Sequence, residues 1–137
     1  MEYYVPISII LAVIFSHVIK EIIHVYTHKE FSWYVLLLKT GGMPSSHSAA
    51  VSALTLAIYF VDGLSILFWA CFVFSAVIIR DAFGVRKSVS DQATMINVLL
   101  GKAEIQEKVH IVLGHTPIQV FTGIIIGILS ALIVSLF

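Results

Sequence analysis

The sequence predicts an all-α fold, a polytopic membrane helix bundle of about four spans that forms a single membrane-embedded domain over residues 1–137. Of these residues 59% are hydrophobic and only 12% are charged, and the mean hydropathy is +1.02. A soluble domain needs more polar surface than this. Several apolar runs approach the roughly 20 residues that cross a bilayer as a helix. The net charge of zero argues against a nucleic-acid partner.

Four apolar runs predict the spans, and two polar-interrupted segments lie between them. The predicted spans are Val5–Tyr26, Ser46–Val61, Leu64–Ile79 and Pro117–Phe137, with a tight turn at Asp62-Gly63. Residues 31–38 are apolar but cover only ~12 Å as a helix, which predicts a re-entrant or interfacial piece. Residues 88–112 mix apolar and polar positions and predict an amphipathic helical hairpin on the cytoplasmic membrane surface, interrupted near Gly101.

The basic residues predict the orientation. All eight lysines and arginines lie in the loops at 27–45 and 80–116 or in the span ends beside them. The positive-inside rule places those loops in the cytoplasm and both termini outside. The start of the chain lacks a basic segment, so no cleavable signal is expected. Cys71 is the only cysteine and cannot form an intrachain disulfide.

The first polar motif is GGMPSSHS at residues 41–48, which opens the second span. Its glycines allow unusual backbone conformations, and Pro44 can pre-set the first helical turn. A helix start offers backbone N–H groups and the positive end of the helix dipole, which bind anions. Ser45, Ser46 and His47 add hydroxyl and imidazole groups there. A serine-capped turn is the plain alternative, but the histidine favours an anion site.

The second motif is RDAFGVRK at residues 80–87, which closes the third span at the same predicted face. Its cations Arg80, Arg86 and Lys87 could clamp a phosphate, and Asp81 could orient one of them. Standing alone, the same cluster is equally well explained as a positive-inside stop signal.

The third motif is GHTP at residues 114–117, which opens the fourth span. Thr116 suits the N-cap and Pro117 the first helical position. Because these two residues meet the structural needs of a helix start, His115 is left for a functional role, again on the predicted cytoplasmic face.

The first span carries an ionisable face at spacings of three and four residues: His17, Lys20, Glu21, His24 and His28. Lys20 lies roughly 9 Å inside the end of the span. An ionisable group at that depth is costly and normally faces a polar interior. We therefore expect Lys20 to face the site, although it could instead pair with Glu21. Glu21, His24 and His28 could also ligate a metal, but no further ligands accompany them and no metal is expected.

The last span contains Gly123 and Gly127, which fit the small-xxx-small pattern of close helix contacts. The pattern serves packing within the chain or a homodimer, and the spacing does not distinguish the two.

In this order the motifs resemble one family. A lysine in the first span, GGMPSSHSA, DAFGVR and LGHTP before a glycine-spaced helix are similar to the divergent branch of the type 2 phosphatidic acid phosphatase superfamily, related to acid phosphatases and vanadium-dependent haloperoxidases. The resemblance covers nearly the whole chain. It implies hydrolysis of phosphomonoesters, lipid phosphates or pyrophosphates without a metal or other cofactor.

The resemblance also implies residue roles. His115 would be the nucleophile and form a phosphohistidine, and His47 would protonate the leaving group. Asp81 and Gln119 would support the site, and Gln119 stands where the family usually has an acid that orients the nucleophile. The phosphate oxygens would be held by Lys20, Lys39, Ser45, Ser46 and Arg86.

The leading hypothesis is therefore a membrane phosphatase that hydrolyses a lipid phosphate or pyrophosphate at the cytoplasmic face. An alternative is a catalytically weak or inactive binder or transporter of a phosphorylated lipid headgroup. Gln119 favours this alternative, because an amide cannot stabilise an imidazolium as a carboxylate does. A third is a structural membrane subunit, for which His47, Arg86 and His115 would lie far apart.

Overall fold

The computed structural model describes residues 3–37, 42–109 and 114–137, apart from the side chain of Arg86. These residues form helices joined by short connections, which confirms the all-α prediction. The helices are, in chain order, α1 (Tyr4–His28), α2 (Trp33–Leu37), α3 (Ser46–Asp62), α4 (Ile66–Phe83), α5 (Val85–Lys102) and α6 (Pro117–Val134).

Three helical stretches of the described chain are long and apolar enough to cross a membrane: Tyr4–His28, Ile66–Lys102 and Pro117–Val134. The second stretch comprises α4 and α5. Helix α3 has 17 residues, or about 25 Å, the lower limit for a spanning helix. It packs against α1, α4 and α6. Because its neighbours are helices on several sides, its ends can lie against protein and it need not span the full thickness of the lipid. A polytopic helical bundle is confirmed, and the count of four spans stays a prediction.

The centre of the bundle is built from small residues, while large apolar side chains point outwards. Ala12, Ala49 and Ala53 are fully buried, and Ile126 packs against them. Ile66, by contrast, is 91% exposed. A water-soluble fold places its large apolar residues inside. In a bilayer there is no such driving force, and small residues at the helix contacts allow the backbones to approach closely.

Buried serines in this centre satisfy their hydroxyl groups within their own helices. Ser8, Ser16 and Ser130 donate to the carbonyl oxygens four residues earlier, at 2.8–2.9 Å. Polar atoms away from water are costly unless they are hydrogen-bonded. These local bonds let serine serve as a small packing residue between helices.

Gly123 and Gly127 lie where α6 crosses α3. A Cβ atom on Gly123 would sit 2.3 Å from the carbonyl oxygen of Ser45, and one on Gly127 would sit 2.2 Å from that of Ala49. Both distances are far below van der Waals contact, so the crossing requires glycine. The glycine stripe therefore serves packing within the chain. A homodimer stays a prediction and would have to use another surface.

The tight turn predicted after α3 and the short apolar segment predicted before it are both present. The chain turns after Asp62 at Gly63, whose φ of 62° favours glycine. The apolar piece before α3 forms the short helix α2, which packs on α1. The Glu21 carboxylate anchors it by accepting a hydrogen bond from the Ser32 backbone N–H at 2.7 Å. The placement of α2 relative to the membrane stays a prediction.

The predicted hairpin at 88–112 is wrong for the described part of that segment. Residues 85–102 form the single helix α5, and residues 103–109 are not helical. Gly101 lies in the last turn, where the ~1 kcal/mol cost of a helical glycine is tolerated. Asn97 ties the returning segment to α5, because its carboxamide donates to the Val109 carbonyl at 2.9 Å and accepts from the Val109 N–H at 2.7 Å.

Candidate active site

The first motif builds the start of α3 around a serine cap. The helix begins at Ser46, and the Ser45 side-chain oxygen accepts hydrogen bonds from the Ser48 N–H at 3.4 Å and the Ser48 hydroxyl at 2.9 Å. Serine is a preferred N-cap. The prediction that Pro44 opens the helical turn is wrong: it precedes the cap and is fully buried. Since Ser45 is itself buried and used for capping, its contact with phosphate stays a prediction.

Two backbone hydrogen bonds bring the three polar motifs to one end of the bundle. The Ser45 N–H donates to the Gln119 carbonyl at 2.9 Å, which joins the start of α3 to the first turn of α6. The His115 N–H donates to the Ala82 carbonyl at 3.1 Å, which joins the end of α4 to the residue before the α6 cap. The start of α3, the end of α4 and the start of α6 therefore lie together at one end of the bundle.

The second motif lies at the junction of α4 and α5. Helix α4 continues to Phe83, beyond the predicted end of the third span at Ile79, so Arg80 and Asp81 belong to its last turn. Arg80 is exposed and Asp81 is half-buried. The backbone of Arg86 lies in the first turn of α5, and its side chain lies outside the described part of the structure.

His115 is buried, and its hydrogen-bond partner indicates which of its two ring nitrogens carries the proton. Its Nδ1 atom lies 3.3 Å from Gln119 Oε1, and the same oxygen accepts the Thr116 N–H at 3.0 Å. An amide oxygen only accepts hydrogen bonds, so Nδ1 carries the proton. In this tautomer the lone pair is on Nε2, which is the nitrogen available as a nucleophile.

The surroundings of His115 keep its ring neutral. The pKa of His115 is lowered from its ordinary value, first by burial and also by the positive charges of Lys20 and His47. Hydrogen bonds with Gln119 and with the Gly42 backbone oppose this effect. Lys20 is 4% exposed and faces the bundle interior from α1, as its depth in the first span predicts. Lys20 and His47 therefore share an electrostatic environment with His115.

The His47 side chain is exposed and Ser46 is half-buried, both in the first turn of α3. His47 is therefore the exposed histidine of the candidate site, and His115 is the buried one. Lys39 lies outside the described residues.

The metal alternative finds no support among the residues that are described. Glu21 is turned towards Ser32 in the α2 connection. The rings of His24 and His28 stack on each other, with centroids 4.4 Å apart. No three metal-ligating side chains converge anywhere in the described chain.

Two features of the site were not predicted from the sequence. Gln119 supports the helix start as well as the histidine, and the spacing Thr116-x-x-Gln119 is a recognisable capping-box signature. Ala82 contributes only its carbonyl oxygen to His115. No sequence signal could have identified that contact, because every residue has a carbonyl group.

Comparison with known proteins identifies the family of the chain. The model of the Divergent PAP2 family matches residues 2–130. The uncharacterized membrane protein YuiD of Bacillus subtilis (strain 168) is 38% identical over an alignment of 148 positions. The alignment covers 96% of this chain and 93% of YuiD. No solved structure gives a significant match. The match over residues 2–130, together with the order of the motifs in the sequence, shows that this chain belongs to the Divergent PAP2 family.

Proposed function

We propose that this protein is a metal-independent membrane phosphatase that hydrolyses a lipid phosphate or pyrophosphate through a phosphohistidine on His115. The observation that carries the proposal is the state of the His115 ring. It is buried, held at Nδ1 by Gln119 and kept neutral beside two cationic groups. A neutral imidazole with its lone pair on Nε2 is prepared for nucleophilic attack.

In the first step, His115 Nε2 attacks the phosphorus atom of the substrate. A P–N bond forms and the bond from phosphorus to the leaving oxygen breaks. His47, at the exposed side of the site, donates its proton to that oxygen. Four groups balance the negative charge on the transferring phosphoryl group: the side chains of Lys20, Arg86 and Lys39 and the positive end of the α3 dipole.

In the second step, water cleaves the phosphohistidine. His47, now neutral, takes a proton from the attacking water, the P–N bond breaks, and His115 is restored with release of inorganic phosphate. The substrate is proposed to be a lipid because the site lies at the end of a bundle whose outward surface is apolar. The proposed orientation of this end is cytoplasmic.

The direct test is phosphate release by the purified protein in detergent, with a panel of lipid phosphates and pyrophosphates and with vanadate as inhibitor. We expect His115→Ala and His47→Ala each to lower the rate by about two orders of magnitude or more, the usual contribution of such groups. His28→Ala is the matched control, because His28 is an exposed histidine that is not among the proposed site residues. Peptide mapping under alkaline conditions after rapid quenching, which preserves the acid-labile P–N bond, should locate the phosphoryl group on His115.

Equal loss in the His28 control, or release that survives both active-site substitutions, would overturn the proposal. A protein that binds the lipid phosphates but releases no phosphate would support the second candidate, a binder or transporter of a phosphorylated headgroup. Gln119 is the observation that favours this candidate, because a neutral amide stabilises the imidazolium less than a carboxylate does.

A further inference from the structure

A long apolar groove runs along the outside of the bundle between α3, α4 and α6. Its volume is about 650 Å³, within the range of cavities that bury a small ligand. Leu56 of α3, Phe72 and Ile79 of α4, and Ile124 and Ile128 of α6 contribute to its lining. The groove opens sideways, since Phe72 is half exposed. A hydrocarbon chain could therefore enter it directly from a membrane.

One end of the groove lies at the end of the bundle that carries the candidate active site. The three helices that line it are the ones whose ends the two backbone hydrogen bonds join: the start of α3, the end of α4 and the start of α6. Arg80 and Phe83 line the groove at the end of α4 that carries Ala82, the partner of His115. A cation thus stands at the site end of an otherwise apolar channel, which suits a chain with an anionic head.

Aromatic side chains stand at the opposite end of the groove. Tyr59 of α3 and Phe68 of α4 meet there with ring centroids 5.7 Å apart, next to the turn at Gly63 that joins the two helices. Phe68 also stacks against Phe72, with centroids 6.1 Å apart. The lining at this end is therefore bulky and lies beside a chain connection.

The length of the groove matches a single lipid leaflet. The twelve residues from Phe68 to Arg80 rise about 18 Å along α4, and one leaflet contributes about 15 Å of hydrocarbon. Two of the hydroxyl groups in the groove bond to protein, because the Thr55 and Ser75 hydroxyls are 2.8 Å apart and Ser75 donates to the Val51 carbonyl at 3.1 Å. Thr55 and Ser75 therefore do not need a polar partner from a bound chain.

We propose that this groove holds the hydrocarbon chain of the substrate and that the Tyr59–Phe68 pair sets the preferred chain length. The inference rests on the proposed phosphatase function and adds the part of the substrate that the phosphate site does not contact. Arg80 lies beside the headgroup, and a chain of about one leaflet fills the space to the aromatic end. Longer chains gain no further contact and must bend out of the groove.

The test uses the full-length protein in mixed micelles with saturated alkyl monophosphates from octyl to octadecyl and with p-nitrophenyl phosphate, which has no chain. In the wild type, kcat/KM should rise with chain length and then stop rising. Ala76→Phe, which fills the groove from α4, should lower the ratio of long-chain to p-nitrophenyl phosphate hydrolysis at least about fivefold, the lower end of what overpacking an apolar site costs. Tyr59→Ala should move the plateau to longer chains.

Val73→Phe is the matched control, since Val73 lies on the same helix, is 60% exposed and does not line the groove. Identical chain-length profiles for Ala76→Phe, Tyr59→Ala and this control would overturn the inference. If no substrate is hydrolysed, the phosphatase proposal fails, and a photoreactive alkyl phosphate then tests the groove alone. Crosslinks on α4 between residues 68 and 80 that Ala76→Phe abolishes would support the groove, and crosslinks elsewhere would reject it.

Discussion

At the scale of single residues, one amide oxygen links a helix start to a reactive ring. Gln119 Oε1 accepts the Thr116 N–H at the α6 N-cap and lies within hydrogen-bond distance of His115 Nδ1. The helix start fixes the amide, and the amide fixes the histidine tautomer. The identity of this side chain should therefore control the chemistry more than the fold.

Replacing Gln119 by Glu tests this role. Glutamate keeps the acceptor oxygen at the same position and is itself favoured in a capping box, so the helix start should be preserved. A hydrogen bond to a charged partner is stronger by about 1 kcal/mol, which corresponds to roughly a fivefold faster phosphoryl transfer. The rate of phosphohistidine formation in a single turnover measures this change in phosphoryl transfer. Gln119→Leu should lower the rate, and equal rates in both variants would refute the orienting role.

The charge of Lys20 should be visible in the titration of His115. Lys20 lowers the pKa of His115, so Lys20→Met should raise it. Because the neutral ring is the proposed nucleophile, the rate falls as the pH drops through this pKa. The acidic limb of the rate profile should thus move to higher pH in the variant. NMR titration of labelled histidine measures the pKa directly, and Lys29→Met, an exposed site at the end of α1, should leave it unchanged.

At the scale of elements, the crossing of α3 and α6 holds the site together. The Ser45 and Ala49 carbonyl oxygens approach so close to Gly123 and Gly127 that no Cβ fits. The same two helices carry the Ser45–Gln119 hydrogen bond. Pushing them apart should consequently affect both stability and the geometry around His115.

Gly127→Ala should destabilise the folded bundle by about 1–3 kcal/mol, the usual cost of overpacking. Gly123→Ala should additionally lower phosphatase activity, since the clash falls on Ser45. Thermal or SDS unfolding in detergent measures the first effect. Gly101→Ala is the control, because a Cβ there meets nothing within 4 Å and alanine favours the helix. A control as unstable as the α6 variants would contradict this account.

At the scale of the whole molecule, the distribution of small and large residues is that of a protein in lipid. Alanines, serines and glycines make up most of the buried centre, and most of the large apolar side chains face outwards. The hydropathy and the helix lengths agree with this, and the placement of the basic residues predicts which end faces the cytoplasm. That placement can be measured independently of activity.

Cysteine labelling in intact cells tests the orientation. In a Cys71→Ser background, a cysteine at position 137 should react with a membrane-impermeant maleimide from outside. A cysteine replacing Glu104, in the exposed segment after α5, should react only after permeabilisation. The opposite pattern would place the site outside the cytoplasm, and labelling of both positions from the same side would show that α6 does not cross the membrane.

Sequence patterns predicted the helical class, the turn at Gly63 and the family that the chain resembles, and the structure and the family match confirm these three. The helices and the turn follow from hydropathy, periodicity and capping, which act between residues close in the chain. The roles of His115, His47 and Lys20, inferred from chemistry that a helix start or a span does not need, stay predictions.

How these parts meet is visible in the tertiary structure. It assigned the glycine stripe to the α3–α6 contact, replaced the predicted hairpin at 88–112 by α5 and its returning segment, joined His115 to the Ala82 carbonyl and created the groove beside Arg80. Each of these depends on distances between residues far apart in the chain. Such distances are set by how closely whole helices pack, and no local pattern encodes them.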